Sequence, residues 1–229
     1  MFCVGIDPGE AKLGLAKANI YQKRMSYYVC DLRVPKLVRK TKKPQKKKRK
    51  LQTKKGVNLT LLPKRIHEFV RALTPTLMKT HIVCIEEQKI SVQRIKIIAL
   101  LLFQTIQLMF PHITVQFVDP EKYRAFFNIT VKKKDYPKLS QSELRLVRKG
   151  KSFHETKLIP PEYRTRVHHT LKIDGEFAVD PIEAGLMAVY CLAKHSLVLT
   201  GEATSLEPCD TPEFETFVVA SVTRVPYLT

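Results

Sequence analysis

Residues 1–32 read MFCVGIDPGEAKLGLAKANIYQKRMSYYVCDL, and this stretch decides the fold. Residues 1–7, 13–20 and 25–32 each gather β-branched, Leu or aromatic side chains between polar breaks, with Pro8-Gly9 as the first turn signal. Short runs of this kind predict three strands in a meander. Downstream the period changes. Asn58 or Thr60 caps a helical pattern in which Leu61, Leu62, Ile66, Phe69, Val70 and Leu73 recur near helical spacing. Pro63 falls in its first turn, where a missing N–H costs little. Ile82 to Glu86 reads as a fourth strand. Ser91 caps a long helix to about Phe110, apolar nearly all round and therefore expected to be deeply buried. Ile113 to Val118 reads as a fifth strand, and Pro120 opens a short helix through Phe127. Residues 130–175 are basic, rich in turns and without a clear period. Asp180 starts the last helix, which is expected to end near His195. A meander followed by alternating helices and strands predicts an α/β fold, a mixed five-stranded sheet with helices on both faces.

With 229 residues and 44% apolar content, the chain is long enough for one good-sized core. Its formal charge is +19, from 40 Lys plus Arg against 21 Asp plus Glu. That balance points to nucleic acid as the first partner and an anionic membrane as the second. The charge is unevenly placed. Residues 36–56 hold 12 Lys or Arg and no acid, with Pro44 and Gly56 as breakers, and read as a basic disordered loop. Without them, 28 basic residues face 21 acidic ones, a net +7. The expected organisation is one domain over residues 1–195 containing that loop, then an acidic extension over 196–229. In the extension Glu202, Glu207, Asp210, Glu213 and Glu215 face only Arg224, and the apolar run Phe217 to Val222 offers an edge strand or a surface-packed segment.

Cys3, Cys30, Cys84, Cys191 and Cys209 show no zinc-type or redox spacing, and three of them lie in apolar runs as small core residues. A reducing, intracellular compartment is the expectation. The start meets Asp7 at once and lacks a basic region, so no signal peptide is expected. Ile95 to Phe110, the most apolar stretch, is too short to span a bilayer and carries Lys96, Gln104 and Gln107. No membrane partner and no small-molecule cofactor are expected.

Four carboxylates stand beside apolar segments: Asp7 after the first strand, Glu86 after the fourth, and Asp180 and Glu183 at the start of the last helix. A carboxylate at a strand end points into the crevice where sheet ligands sit. Asp180 and Glu183, three apart, share one helical face. If the first and fourth strands are neighbours and the last helix crosses their ends, the four converge. Like charges 4 Å apart repel by about 4 kcal/mol per pair at an effective dielectric of 20. Two divalent cations would neutralise four acids, and hard oxygen donors favour Mg2+ or Mn2+ over zinc. Such a pair of ions hydrolyses phosphodiesters. Each acid also has a plainer reading. Asp7-Pro8-Gly9 suits a turn, Glu86-Glu87 suits solvated surface, and Asp180 with Glu183 suits a helix cap with its capping box.

Gly5-Ile6-Asp7-Pro8-Gly9 followed by Leu13-Gly14-Leu15-Ala16 resembles the opening of RuvC-like Holliday junction resolvases, which have an RNase H-like fold. Ile85-Glu86-Glu87-Gln88 looks like the fourth-strand motif of their poxviral and fungal mitochondrial branch, and Asp180-Pro181-Ile182-Glu183-Ala184 is similar to the start of the family's last helix. Val118-Asp119-Pro120 resembles the segment after the fifth strand. The resemblance covers roughly residues 1–35 and 58–195. It implies a homodimeric, magnesium-dependent endonuclease that nicks opposed strands of a four-way DNA junction, with Asp7, Glu86 and Asp180 as metal ligands. Glu183 stands where the family usually has Asp, so a direct ligand and a capping residue both remain open. Lys89 and the basic loop also depart from the compact bacterial pattern. The poxviral-like motif suggests a large DNA virus, and with it a nucleus or viral replication site.

Lys46, Lys47, Lys48 and Arg49 in the basic loop, Lys132, Lys133 and Lys134, and Arg164 and Arg166 are candidate DNA-phosphate contacts; each group also suits a solvated basic face. The alternatives are a YqgF-like nuclease on RNA or RNA–DNA hybrids and a non-catalytic nucleic-acid-binding protein. An actin-like ATPase is disfavoured, because the chain is too short for the two domains a nucleotide cleft needs.

Overall fold

Period-two burial sets the two faces of the sheet in the first strand. In β1 (Phe2–Pro8) Cys3 packs into one apolar cluster, while Val4 and Ile6 pack into another on the opposite face. The computed structural model describes residues 1–9, 12–19, 24–32, 59–88, 93–154, 172–173, 176–177, 180–200 and 218–224. The basic loop at 36–56 lies outside them. β2 (Lys12–Asn19) and β3 (Arg24–Asp31) continue the meander, antiparallel in turn, with Ile6 opposite Leu15 and Leu15 opposite Tyr28.

The helix α1 (Leu62–Ala72) has Leu61 as N-cap, with no side-chain cap, in place of the expected Asn58 or Thr60; Pro63 sits in the first turn as expected. Leu62, Ile66, Phe69 and Val70 form its buried stripe, and Arg65 Nη1 donates to the Leu32 carbonyl at 3.0 Å, tying the helix to the end of β3. A single-turn helix, α2 (Thr74–Leu77), leads into β4 (Ile82–Glu86), which is buried at every position. Cover on both faces accounts for its unbroken apolar run.

α3 (Gln93–Met109) corrects the expectation of a helix buried all round. Ile98, Ala99, Leu102 and Ile106 face the sheet, but Ile97, Leu100 and Leu108 are 41%, 43% and 83% exposed. The helix forms an outer layer, so only the stripe toward the sheet is covered. β5 (Thr114–Val118) pairs parallel to β4 at the sheet's edge. α4 (Pro120–Phe126) starts on Asp119, whose carboxylate accepts from Glu121 N at 2.8 Å, with Pro120 in the first turn. Asn128 ends this segment at φ 54, a left-handed conformation that asparagine tolerates better than most residues.

The stretch without a legible period contains α5 (Gln141–His154). A reciprocal capping box starts it: Ser140 N donates to Glu143 Oε2 at 2.7 Å, and Glu143 N donates to Ser140 Oγ at 3.3 Å. Two short strands, β6 (Lys172–Ile173) and β7 (Glu176–Phe177), pair antiparallel before α6 (Asp180–Thr200). That helix runs five residues beyond the expected end at His195.

The main sheet has the order β5-β4-β1-β2-β3-β8, where β8 (Val218–Arg224) lies parallel to β3. The first five strands have the order and directions of an RNase H-like fold. The sheet has six strands rather than five because the β-branched run near the C-terminus covers what would otherwise be an open β3 edge. α6 packs on one face with Met25, Tyr27, Ala16 and Ala18, while α1 and α3 pack on the other with Leu13, Leu15, Val83 and Ile85. Gly5 permits the close seating of α6: a Cβ there would lie 1.9 Å from the Ala184 carbonyl oxygen. Under the same helix Cys3 and Cys84 bring their sulfurs to 3.4 Å, a juxtaposition their sequence spacing does not reveal. Among the described residues, no helix is long and apolar enough to cross a membrane.

Candidate metal centre

Strand alternation aims two of the acids at the same helix. On β4, Ile82 and Cys84 face α6 while Val83 and Ile85 face away, so Glu86 belongs to the α6 side. On β1 the same count places Asp7 with Cys3 and Gly5. The strands are parallel neighbours paired through Ile6 and Ile85, so Asp7 and Glu86 come next, side by side. Glu183, in the first turn of α6, completes the group. Ligand oxygens of Asp7, Glu86 and Glu183 all lie within 4.8 Å of one another. Glu86 is 9% and Glu183 only 3% exposed, while Asp7 is half-buried.

Among the described residues, Arg124 and Arg148 enter this cluster. Arg124, from α4, places Nη2 3.3 Å from Glu183 Oε2 and 3.6 Å from Glu86 Oε2. Arg148, from α5, places Nε 3.6 Å from Glu183 Oε1. Tyr123 donates its hydroxyl to Glu86 Oε2 at 2.9 Å, fixing that carboxylate's rotamer. Burial pushes the Glu86 carboxyl above its usual range; Arg124 pulls it down, the Glu183 charge pushes it up again, and the Tyr123 hydrogen bond opposes both rises. Burial also works against the charge of Arg124, but Tyr123, Glu183, Glu86 and Asp7 outweigh it and hold the guanidinium charged.

The donor set fits a divalent cation. Two oxygens across an ion at about 2.1 Å from each span about 4.2 Å, which the 4.8 Å bound on the separation of these ligand oxygens allows. Glu183 Oε1 is buried without a hydrogen-bond partner, with Arg148 Nε 3.6 Å away. All the donors are hard oxygens, which suit Mg2+ or Mn2+.

Of the residues singled out in the sequence, Asp7, Glu86 and Glu183 come together. Asp180 is the first residue of α6, one turn before Glu183, and its side chain lies outside the described residues. Lys132, Lys133 and Lys134 are exposed around a short 3-10 turn at Lys133–Asp135, with Lys133 Nζ donating to the Leu139 carbonyl. Lys46, Lys47, Lys48, Arg49, Arg164 and Arg166 lie outside the described residues. Sequence reasoning missed Tyr123, Arg124 and Arg148. The one signal for Arg148 is its place between Leu144 and Ser152, both buried, at steps of four on α5. Tyr123 and Arg124 lie one turn after the Asp119-Pro120 helix start, a weaker cue.

No protein-family model and no curated protein matches the chain. Among solved structures it is similar to RuvC of Thermus thermophilus, with TM-score 0.43 and 14% identity over 89% of this chain and 98% of that one. T. thermophilus RuvC in complex with a Holliday junction substrate gives TM-score 0.42 and 13% identity over 88% and 96%. The fowlpox virus resolvase in complex with its Holliday junction DNA gives TM-score 0.44 and 14% identity over 86% and 99%.

Proposed function

We propose that the chain is a divalent-metal-dependent endonuclease that resolves four-way DNA junctions by nicking opposed strands. The observation that carries this reading is the convergence of Asp7, Glu86 and Glu183 within 4.8 Å, at the end of two parallel strands, in a chain of net charge +19. Buried acids converge at a cost of several kcal/mol unless a cation neutralises them. When bound, the ion supplies Lewis-acid polarisation of a phosphate and a water acidic enough to attack it.

Asp7, Glu86 and Glu183 would hold Mg2+ or Mn2+, with Asp180 as the fourth ligand and two ions as the full complement. Tyr123 orients Glu86. Lys132, Lys133 and Lys134, with Arg164, Arg166 and the basic loop including Lys46, Lys47, Lys48 and Arg49, would bind DNA phosphates, which makes affinity fall steeply with salt. Nicking opposed strands takes two centres, and a homodimer supplies them. The exposed Ile97, Leu100 and Leu108 of α3 and Phe117 of the neighbouring edge strand support such an assembly.

The test is substrate preference. A fixed four-way junction, a linear duplex and an RNA–DNA hybrid are incubated with the protein and Mg2+. The reading expects symmetric nicks in the junction and little cutting of the other two. Preference for the hybrid would reassign the substrate to RNA–DNA, and no cutting of any substrate would leave a binding protein.

A further inference from the structure

Arg124 and Arg148 sit among the carboxylates without closing a well-bonded network. The 3.3 Å approach of Arg124 Nη2 to Glu183 Oε2 is a hydrogen bond, whereas Arg124 Nη2 to Glu86 Oε2 and Arg148 Nε to Glu183 Oε1 are ion pairs at 3.6 Å. Nε of both arginines and Oε1 of Glu183 are buried without hydrogen-bond partners. Arginine–carboxylate pairs frequently close a bidentate fork on one carboxylate. Arg124 instead spreads one nitrogen between Glu86 and Glu183, as a cation does when it bridges two ligands. Its hold is electrostatic, and its bonding is incomplete.

We propose that Arg124 is a displaceable counter-cation of the metal centre. It holds Glu86 and Glu183 together against their repulsion, yields its place to a divalent ion, and turns its guanidinium toward the DNA phosphate that arrives there. This rests on the metal-nuclease reading above and adds a role for a residue outside the ligand set. Displacing Arg124 from between Glu86 and Glu183 makes room for the ion's own charge. Guanidinium also suits the second position, since its planar fork matches phosphate oxygens.

The sign of one measurement separates displacement from support. A residue that positions the ligands weakens metal binding when it is removed; a competing cation strengthens it. Titration of the full chain with Mn2+ alone, followed by calorimetry, should give Arg124→Gln an affinity about tenfold or more above wild type. Arg124→Lys, which keeps the charge, should stay within about threefold of wild type. Equal or weaker binding by Arg124→Gln overturns the proposal. A second readout needs no variant: on wild type, Mn2+ should raise modification of Arg124 by an arginine-selective dicarbonyl, read by mass spectrometry. Unchanged or reduced modification also overturns it. If wild type binds Mn2+ and cuts junctions while these tests fail, only the counter-cation role falls. If no variant binds metal and nothing branched is cut, the nuclease reading falls with it.

Discussion

Replacing Gly5 by alanine tests how α6 sets the metal centre. The added Cβ would lie 1.9 Å from the Ala184 carbonyl oxygen and 3.2 Å from Ala188 N. Both are backbone atoms of a helix, so no side chain can rotate away. Restoring a contact of about 3.4 Å requires α6 to retreat from β1 by roughly 1.5 Å. Overpacking of this kind costs about 3 kcal/mol, which for a chain of this size lowers the unfolding midpoint by roughly 6–12 °C. Glu183 precedes Ala184 and moves with it, away from Asp7 and Glu86. A site loosened by about 1 Å loses its binding geometry, so Mn2+ affinity should fall as well. Thermal unfolding followed by circular dichroism, paired with Mn2+ calorimetry, reads both effects. An unfolding midpoint within about 1 °C of wild type, with unchanged Mn2+ binding, would refute the close seating of α6 on β1.

Two further predictions concern the acids and the helix that brings the arginine. The folded chain raises the Glu86 pKa above its ordinary value of 4.5, chiefly by burial. Folding therefore favours the protonated form relative to the unfolded chain, and this contribution to stability is complete below that value and lost as pH rises through the folded pKa. In chelator, stability measured by urea unfolding should decline across that window, and Glu86→Gln should flatten the decline; an unchanged slope contradicts the assignment. Asp119→Ala removes the cap of α4 and should cost about 1 kcal/mol in urea unfolding, with looser placement of Tyr123 and Arg124 read as faster amide exchange in that helix. Unchanged exchange would show that packing alone holds it.

The meander and the parallel strands were legible because their periods are local: Cys3, Gly5 and Asp7 alternate with Val4 and Ile6 without help from the rest of the chain. Glu86 was legible for the same reason, as the end of a wholly buried strand. The exposure of Ile97, Leu100 and Leu108 was not, since a helix that is apolar all round gives no hint of which stripe the sheet covers. The edge strand β8 was only one of two readings of its apolar run, because pairing with β3 is a long-range choice. Glu183 looked as much like a capping residue as a ligand, and its burial and the contacts of both Arg124 and Arg148 became visible only in three dimensions. The two arginines stayed hidden because the chain has 40 basic side chains and no local pattern marks the inward-facing ones.

The central claim is that Asp7, Glu86 and Glu183 form the cutting centre, and the most direct test is cleavage of a fixed four-way junction with Mg2+ by wild type, Asp7→Asn, Glu86→Gln and Glu183→Gln. Wild type should make paired nicks and none in chelator, and the three variants should bind the junction in gel shift but cut it at least about a hundredfold more slowly. Wild-type rates in any of the folded variants would contradict it.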